Sequence, residues 1–110
     1  MMNSNWTVRV DAKSEGAARR TIAKFESEVG VQFADLRVEE HHEGGHIVYF
    51  LVPVSAAEWK EAVFETLEIA QRIGYGWSLL GSVLDEPEGF CAKFRVSGVQ
   101  SASWHLTRSL

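Results

Sequence analysis

The segment from Ile47 to Val52 is apolar at every position, and this run constrains the fold more than any other part of the chain. Successive side chains of a strand point to opposite faces of a sheet, so such a strand presents apolar groups on both faces. Both faces should therefore be covered, which predicts a strand in the middle of a sheet. Pro53 is expected to end the strand because proline has no backbone N–H.

Three elements are predicted before this strand. The segment from Trp6 to Val10 alternates between apolar and polar residues, which indicates a half-buried strand. Ser14 is suited to cap a helix that ends at Gly30. The core stripe of that helix consists of Ala18, Ile22, Phe25 and Val29. A second strand should run from Gln32 to Glu40, and a break in its alternation at residues 34–35 indicates a bulge.

The segment from Ser55 to Ile73 predicts a second helix. Ser55, followed three residues later by Glu58, has the form of a capping box, in which each side chain bonds the other residue's backbone. On a wheel of about 100° per residue, one side of the helix is apolar. The residues of that side are Trp59, Ala62, Val63, Leu67, Ala70 and Ile73. Gly74 and Gly76 should end the helix.

The remaining strands are predicted in the C-terminal third of the chain. An apolar segment covers residues 77–84, a polar turn covers 85–89, and residues from Phe90 to Val96 alternate as in a strand. A short last strand is expected from Ala102 to Leu106. The order β-α-β-β-α-β with one or two extra C-terminal strands predicts a single α+β domain over residues 1–110. Its expected form is a ferredoxin-like sandwich with two helices on one face of an antiparallel sheet.

This architecture leaves the second face of the sheet without a helix. Because the run from Ile47 to Val52 is apolar on both faces, something else must cover that second face. We consider three candidates, which are the residues from Val99 onward, a second copy of the chain, and a partner protein.

The second helix also carries four glutamates in a row along its surface. This glutamate ridge consists of Glu58, Glu61, Glu65 and Glu68, and its spacing confines it to an arc of roughly 80°. Like charges at such spacings repel by roughly a few tenths of a kcal/mol per pair, so a single sign is unusual for a purely structural surface. Phe64 falls among these acids. We interpret Phe64 and the ridge as a contact patch for a basic partner, although a solvated helix face explains the same pattern.

A second acidic patch is predicted on the turn after the helix. Asp85 and Glu86 belong to it, and Glu88 follows two residues later. In a ferredoxin-like arrangement, a protein could contact this turn together with the glutamate ridge. Asp85 and Glu86 are therefore included among the candidate partner-binding residues.

The polar stretch around residues 39–46 contains the residue types that bind zinc or nickel. His41, His42 and His46 are the candidate metal ligands. Adjacent strand residues point to opposite faces, so His41 and His42 cannot both reach one ion from a regular strand. The spacing matches no standard metal motif, and we expect a solvated hairpin turn and no metal or cofactor.

Catalytic chemistry has no clear signature in this chain. No serine lies in a nucleophile elbow, and the glycine pairs at 44–45 and 74–76 lack phosphate-loop spacing. Cys91 lies inside a predicted strand, where a thiol is usually inert and buried. We expect a protein that is not an enzyme.

Composition limits the partners and the compartment. Eleven Lys and Arg against fifteen Asp and Glu give a formal charge of −4, which has the wrong sign for binding nucleic acid through phosphates. A basic partner would be attracted instead. A single cysteine and the lack of a long apolar run lead us to expect a cytoplasmic protein outside the membrane.

The chain resembles small bacterial immunity proteins encoded beside toxins of contact-dependent growth inhibition and related systems. The resemblance lies in overall character and in two glycine-marked segments, Gly76-Trp77-Ser78-Leu79-Leu80-Gly81-Ser82-Val83 and Val96-Ser97-Gly98-Val99. It implies a non-enzymatic inhibitor that binds a cognate toxin, often a basic nuclease, and carries over no individual residue.

An alternative function belongs to another class. A homodimeric ferredoxin-like domain could bind a small molecule, or perform simple cofactor-free chemistry, between its subunits. Dimerisation would cover the second sheet face. In that case His46, Tyr49, Trp77 or Trp104 are the residues expected to line the cavity.

Overall fold

Six strands and two helices make up the part of the chain that the computed structural model describes, residues 2–108. The elements are β1 (Met2–Val10), α1 (Glu15–Val29), β2 (Ala34–Glu40), β3 (His46–Val54), α2 (Trp59–Ile73), β4 (Ser78–Leu80), β5 (Glu88–Cys91) and β6 (Val99–Arg108). The strands form one sheet in the order β2-β3-β1-β6-β5-β4, and neighbouring strands are antiparallel. The predicted α+β class, with an antiparallel sheet and two helices, is confirmed. Residues 1, 109 and 110 of the predicted domain lie outside the described part.

One face of the sheet is buried, and the alternation within the strands decides which one. Trp6, Val8 and Val10 of β1 are buried. The strand register places Trp6 between Phe50 of β3 and Trp104 of β6, so three large aromatic residues lie side by side on this face. Both helices pack against β3 and against each other. Burying each such aromatic or aliphatic side chain contributes about 1.5–3 kcal/mol. The predicted α1 residues Ala18, Ile22, Phe25 and Val29 are all buried.

Strand β3 lies between β2 and β1, so its position inside the sheet is confirmed. The expectation that both of its faces are covered is wrong. Buried side chains alternate with half-buried ones, and the half-buried ones on the opposite face include Ile47, Tyr49 and Leu51. We call this second face, which also presents Asn5, Thr7, Ser103 and His105, the open face. Polar residues on the neighbouring strands explain why it tolerates water.

Pro53 does not end β3, because the strand continues to Val54. Pro53 pairs with Asn3 of β1. The pairing between β2 and β3 extends only as far as Leu51. Position 53 therefore has a neighbouring strand on one side only, where a residue without an N–H is tolerated.

The C-terminal part differs most from the sequence-based prediction. β6 is ten residues long and pairs with β1 along almost its whole length, so it lies inside the sheet and cannot cover the open face. The two extra strands, β4 and β5, precede β6 in the chain instead of following it. The predicted strand from Phe90 to Val96 is wrong in its extent and its orientation, since β5 ends at Cys91 and Phe90 points to solvent.

Two local predictions are confirmed. The Ser14 hydroxyl accepts a hydrogen bond from the Ala17 N–H at 3.1 Å, and Gly30 ends α1 in the left-handed region with φ 78°. The bulge in β2 is also present, because the register shifts between Ala34 and Arg37 and Asp35 has φ 52°.

Candidate partner-binding surface

Helix α2 does not begin with the predicted capping box. Its N-cap is Glu58, whose side chain makes no capping hydrogen bond, and its first helical residue is Trp59. Ser55 lies outside the helix and is hydrogen-bonded elsewhere. The prediction was wrong because the helix begins three residues later than a cap at Ser55 would place it.

Glu65 replaces the capping box as the anchor of this segment. One of its carboxylate oxygens accepts from the Ser55 N–H at 2.8 Å. The other accepts from the Ser55 hydroxyl at 2.7 Å and from the Ala56 N–H at 3.1 Å. Carboxylates that accept several hydrogen bonds are held firmly in place. Glu65 is therefore half-buried and engaged within the molecule, whereas Glu58, Glu61 and Glu68 of the glutamate ridge are exposed.

Phe64 is 63% exposed, as its place among the acids predicts. Glu61 precedes it by three residues and Glu68 follows it by four, and residues at those spacings are neighbours on a helix surface. We call Glu61, Phe64 and Glu68 the acidic helix face. On the opposite side of α2, Thr66 and Ile69 are buried in addition to the predicted apolar residues. The predicted Trp59, Val63 and Leu67 are only partly buried against the core.

A larger apolar surface lies on the hairpin formed by β4, the following loop and β5, residues 78–91. We call it the apolar hairpin. Five of the eight large hydrophobic side chains that are exposed in the described part of the chain belong to it, with exposures between 47% and 68%. These five are Leu79, Leu80, Val83, Leu84 and Phe90. Large exposed apolar patches occur at interaction sites, at ligand grooves and on aggregation-prone surfaces.

The apolar hairpin is also acidic. Asp85, Glu86 and Glu88 are exposed, and no Lys or Arg occurs between residues 78 and 92. The predicted partner-binding residues Asp85 and Glu86 therefore lie directly beside the exposed apolar side chains. The sequence predicted these acids on a turn, but it did not indicate that the apolar side chains of residues 79–84 are exposed to solvent on a short hairpin. The glycines at 81 and 89 were the available signal for a short hairpin.

The loop of the hairpin has a defined structure although its side chains face solvent. The Ser82 carbonyl accepts from the N–H groups of Asp85 and Glu86, at 3.1 and 2.9 Å. Gly81 has φ 76°, which favours glycine. Pro87 is buried, and its carbonyl accepts from the Leu106 N–H at 3.3 Å. Several backbone groups of the loop, at Ser82, Asp85, Glu86 and Pro87, are thus paired within the molecule.

Trp59 connects the hairpin to the start of α2. Its indole N–H donates to the Val83 carbonyl at 2.8 Å, and the guanidinium of Arg108 lies 4.2 Å from the centre of its ring. Cation–π contacts at exposed sites contribute about 0.5–1 kcal/mol. The loop that carries Asp85 and Glu86 is therefore attached to the helix that carries the glutamate ridge.

The histidine hairpin shows no metal geometry. The rings of His41 and His42 stack at 4.5 Å, and His46 Nδ1 lies 2.7 Å from the Ala12 carbonyl. Within residues 2–108, His, Cys, Asp and Glu side chains form no group of three or more that could hold a metal ion. Partial burial, Arg9 and His42 lower the pKa of His41 below its ordinary value of 6.5, and Glu43 opposes them.

Of the residues considered for a ligand cavity, Tyr49 is separated from Trp77 and Trp104 by the sheet. Trp104 is buried on the helix-covered face, whereas Tyr49 lies on the open face beneath the guanidinium of Arg37. A cavity of about 840 Å³ does open where β1, β3, β6 and the start of α2 meet. Glu58, Trp59 and Arg108 line it, together with residues 54–57 and Met2.

Cys91 is buried, with its Sγ 3.2 Å from the Tyr75 carbonyl and 3.1 Å from the Lys93 carbonyl. This position agrees with the expectation of an inert thiol. Among the described residues, the helices are too short and too polar to span a membrane. Comparisons with protein-family models, with curated proteins and with solved structures found no match to this chain.

Proposed function

We propose that this chain is a non-enzymatic binding protein that neutralises a cognate toxin in the bacterial cytoplasm by direct contact. The toxin is expected to be basic and of the nuclease type. The observation that carries the proposal is the apolar hairpin, which presents five exposed hydrophobic side chains on its two strands and their connecting loop, in the same segment as Asp85, Glu86 and Glu88. Interfaces combine an apolar centre with a charged rim, and this surface has both.

Charge supports a basic partner. The formal net charge is −4, and the exposed acids of α2 and of the hairpin lie on elements joined by the Trp59–Val83 hydrogen bond. Surfaces of one sign attract partners of the other sign and accelerate their association. A nuclease cleft is lined with basic side chains that bind the phosphates of a nucleic acid. A row of carboxylates can therefore occupy the positions that those phosphates would take.

The architecture supports a binding protein better than it supports an enzyme. We propose that β1, α1, β2, β3, α2 and β6 form a ferredoxin-like unit, with the β4–β5 hairpin inserted before its last strand. The insertion carries most of the exposed apolar residues, whereas the unit supplies the core. A loop added to a stable unit is a usual location for a binding site.

The partner to test is the protein encoded by the adjacent reading frame, produced as a purified toxin domain. Calorimetric titration at low and at high salt should show tight binding that weakens as salt rises. Replacing Asp85 and Glu86 together by Lys should lower affinity on the order of tenfold or more at low salt. The matched control, Glu28→Lys with Glu39→Lys, makes the same charge change away from the hairpin and should have a much smaller effect.

Three results would contradict the proposal. The first is the absence of any complex with the adjacent gene product. The second is equal loss of affinity in the hairpin variant and its control, since net charge alone would then explain the binding. The third is a complex in which the toxin keeps its full activity.

A further inference from the structure

The two edge strands of the sheet differ in how they discourage pairing. At one edge, β2 contains the bulge with Asp35 at φ 52° and presents the exposed charges of Arg37, Glu39 and Glu40. Bulges and charged side chains are the usual means by which proteins prevent another strand from adding to an edge. The β2 edge is therefore protected.

The opposite edge lacks these features. β4 has the sequence Ser-Leu-Leu without a charged residue, and all three side chains are exposed. In the described part of the chain it pairs with β5 on one side only. Alternate N–H and C=O groups of an antiparallel edge strand point away from the sheet, so β4 can accept another strand.

Side chains around β4 are arranged on both faces of that edge. Leu79 lies opposite Gly89, which lies opposite Trp104, so Leu79 is on the helix-covered side. Leu80 lies on the open face with Phe90, which is opposite Ser78. An added strand would thus find apolar contacts on either face, and such contacts give specificity to backbone pairing.

Charge indicates which strand would be added. Asp85, Glu86 and Glu88 flank the edge, and residues 78–92 contain no Lys or Arg to neutralise their negative charge. The hairpin of a second copy of this chain would bring three more carboxylates and no Lys or Arg, so the two hairpins would repel each other. A segment with Lys or Arg beside its extended residues would place opposite charges next to these carboxylates.

We infer that the free edge of β4 binds an extended, basic segment of the partner protein, which joins the sheet as a seventh strand. This inference rests on the proposed function and specifies the contact by which the partner is held. Main-chain hydrogen bonds supply part of the affinity, and Leu79, Leu80 and Phe90 supply side-chain contacts.

Proline substitutions test the backbone pairing directly. Backbone groups of Leu79 and Leu80 point to opposite sides of β4, so one of the two N–H groups faces β5 and the other faces the free edge. Leu79→Pro and Leu80→Pro therefore form a matched pair. One of them should lower affinity for the adjacent gene product tenfold or more with little change in Tm. The other should lower Tm because it breaks the pairing with β5.

Amide hydrogen exchange of the wild-type protein tests the same contact without a substitution. Complex formation should slow exchange in residues 78–80 and leave β2, residues 34–40, unchanged. This measurement decides the question even if both proline variants unfold.

The outcomes separate the inference from the proposed function. Wild-type binding without protection of residues 78–80, and with unchanged affinity in a folded proline variant, would overturn the strand addition while the proposed function stands. Absence of any complex would overturn both. Sedimentation velocity that shows a dimer of this chain, lost in one proline variant, would identify a second copy as the occupant and contradict the inference.

Discussion

Ser55 is held by Glu65 through two hydrogen bonds, from its backbone N–H at 2.8 Å and from its hydroxyl at 2.7 Å. The two residues are ten positions apart, so this contact ties the extended segment after β3 to the second turn of α2. The Ala56 N–H adds a third bond to the same carboxylate. Glu65 thereby pairs with two backbone N–H groups of the segment that precedes the helix.

Replacing Glu65 should therefore destabilise the protein. Glu65→Ala removes three hydrogen bonds around a half-buried carboxylate, and we expect a loss of about 1–3 kcal/mol in the free energy of unfolding. Glu68→Ala, on the exposed acidic helix face, should change it by less than about 0.5 kcal/mol. Urea denaturation followed by circular dichroism measures both. Equal stability of the two variants would show that the Glu65 bonds contribute nothing.

Gly89 should be intolerant of any side chain. A methyl group at this position would overlap the indole of Trp104, including its Nε1 and two of its ring carbons. Trp104 is 1% exposed and cannot move away. We therefore expect Gly89→Ala to lower the free energy of unfolding by about 1–3 kcal/mol or more. Gly16→Ala serves as the control, because a Cβ there meets nothing closer than 3.5 Å. Thermal unfolding should show a lower Tm for the first variant and an unchanged or higher Tm for the second.

Trp59→Phe should loosen the apolar hairpin without unfolding the core. The substitution keeps an aromatic ring but removes the N–H that donates to the Val83 carbonyl at 2.8 Å. We expect the free energy of unfolding to fall by about 0.5–1.5 kcal/mol and amide exchange at residues 84–86 to become faster. The exposed Phe64 on the same helix provides a control, since Phe64→Ala should leave exchange in the hairpin unchanged. If exchange at 84–86 does not respond to the loss of the indole, the bond to Val83 does not hold the loop.

His41 should titrate below pH 6.5, because partial burial and the nearby Arg9 lower its pKa. The unfolded chain then binds a proton at this residue at higher pH than the folded chain does. Stability from His41 is therefore present above about pH 6.5 and is lost as the pH falls through the folded pKa. Arg9→Gln should raise the pKa toward 6.5, whereas Arg19→Gln on α1 should not. Ring chemical shifts measured by NMR decide this, and an ordinary pKa in the wild-type protein would refute it.

The local sequence pattern was sufficient to predict the structure where a feature depends on residues of a single helix or strand. The α1 stripe, the Ser14 cap, the Gly30 terminus and the β2 bulge depend on residues within a few positions of each other, and all are present in the structure. The α2 start failed because a serine and a glutamate at capping-box spacing also occur in a segment that is not yet helical. The bond from Ser55 to Glu65 spans ten positions, which no local motif encodes.

In the candidate site, too, local pattern predicted some features and contacts with distant residues decided the others. Exposure of Phe64 and of Asp85 and Glu86 follows from helical spacing and from turn composition, and the structure has them exposed. Which glutamate of the ridge is engaged, and which apolar residues face solvent, depended on contacts with distant segments. Phe90 alternates correctly for a strand, yet it points outward because Gly89 and Cys91 take the inward positions beside Trp104 and Ala102.

The sequence by itself determined the class of the fold, the approximate positions of both helices and the side of α1 that faces the core, because side-chain periodicity acts over a few residues. Only the tertiary structure decided the order of the strands, which placed β6 beside β1 and left β4 at the edge. Strand order depends on pairing between residues about a hundred positions apart, such as Asn5 and His105, and no local pattern carries that information. The exposed edge and the apolar hairpin result from that order.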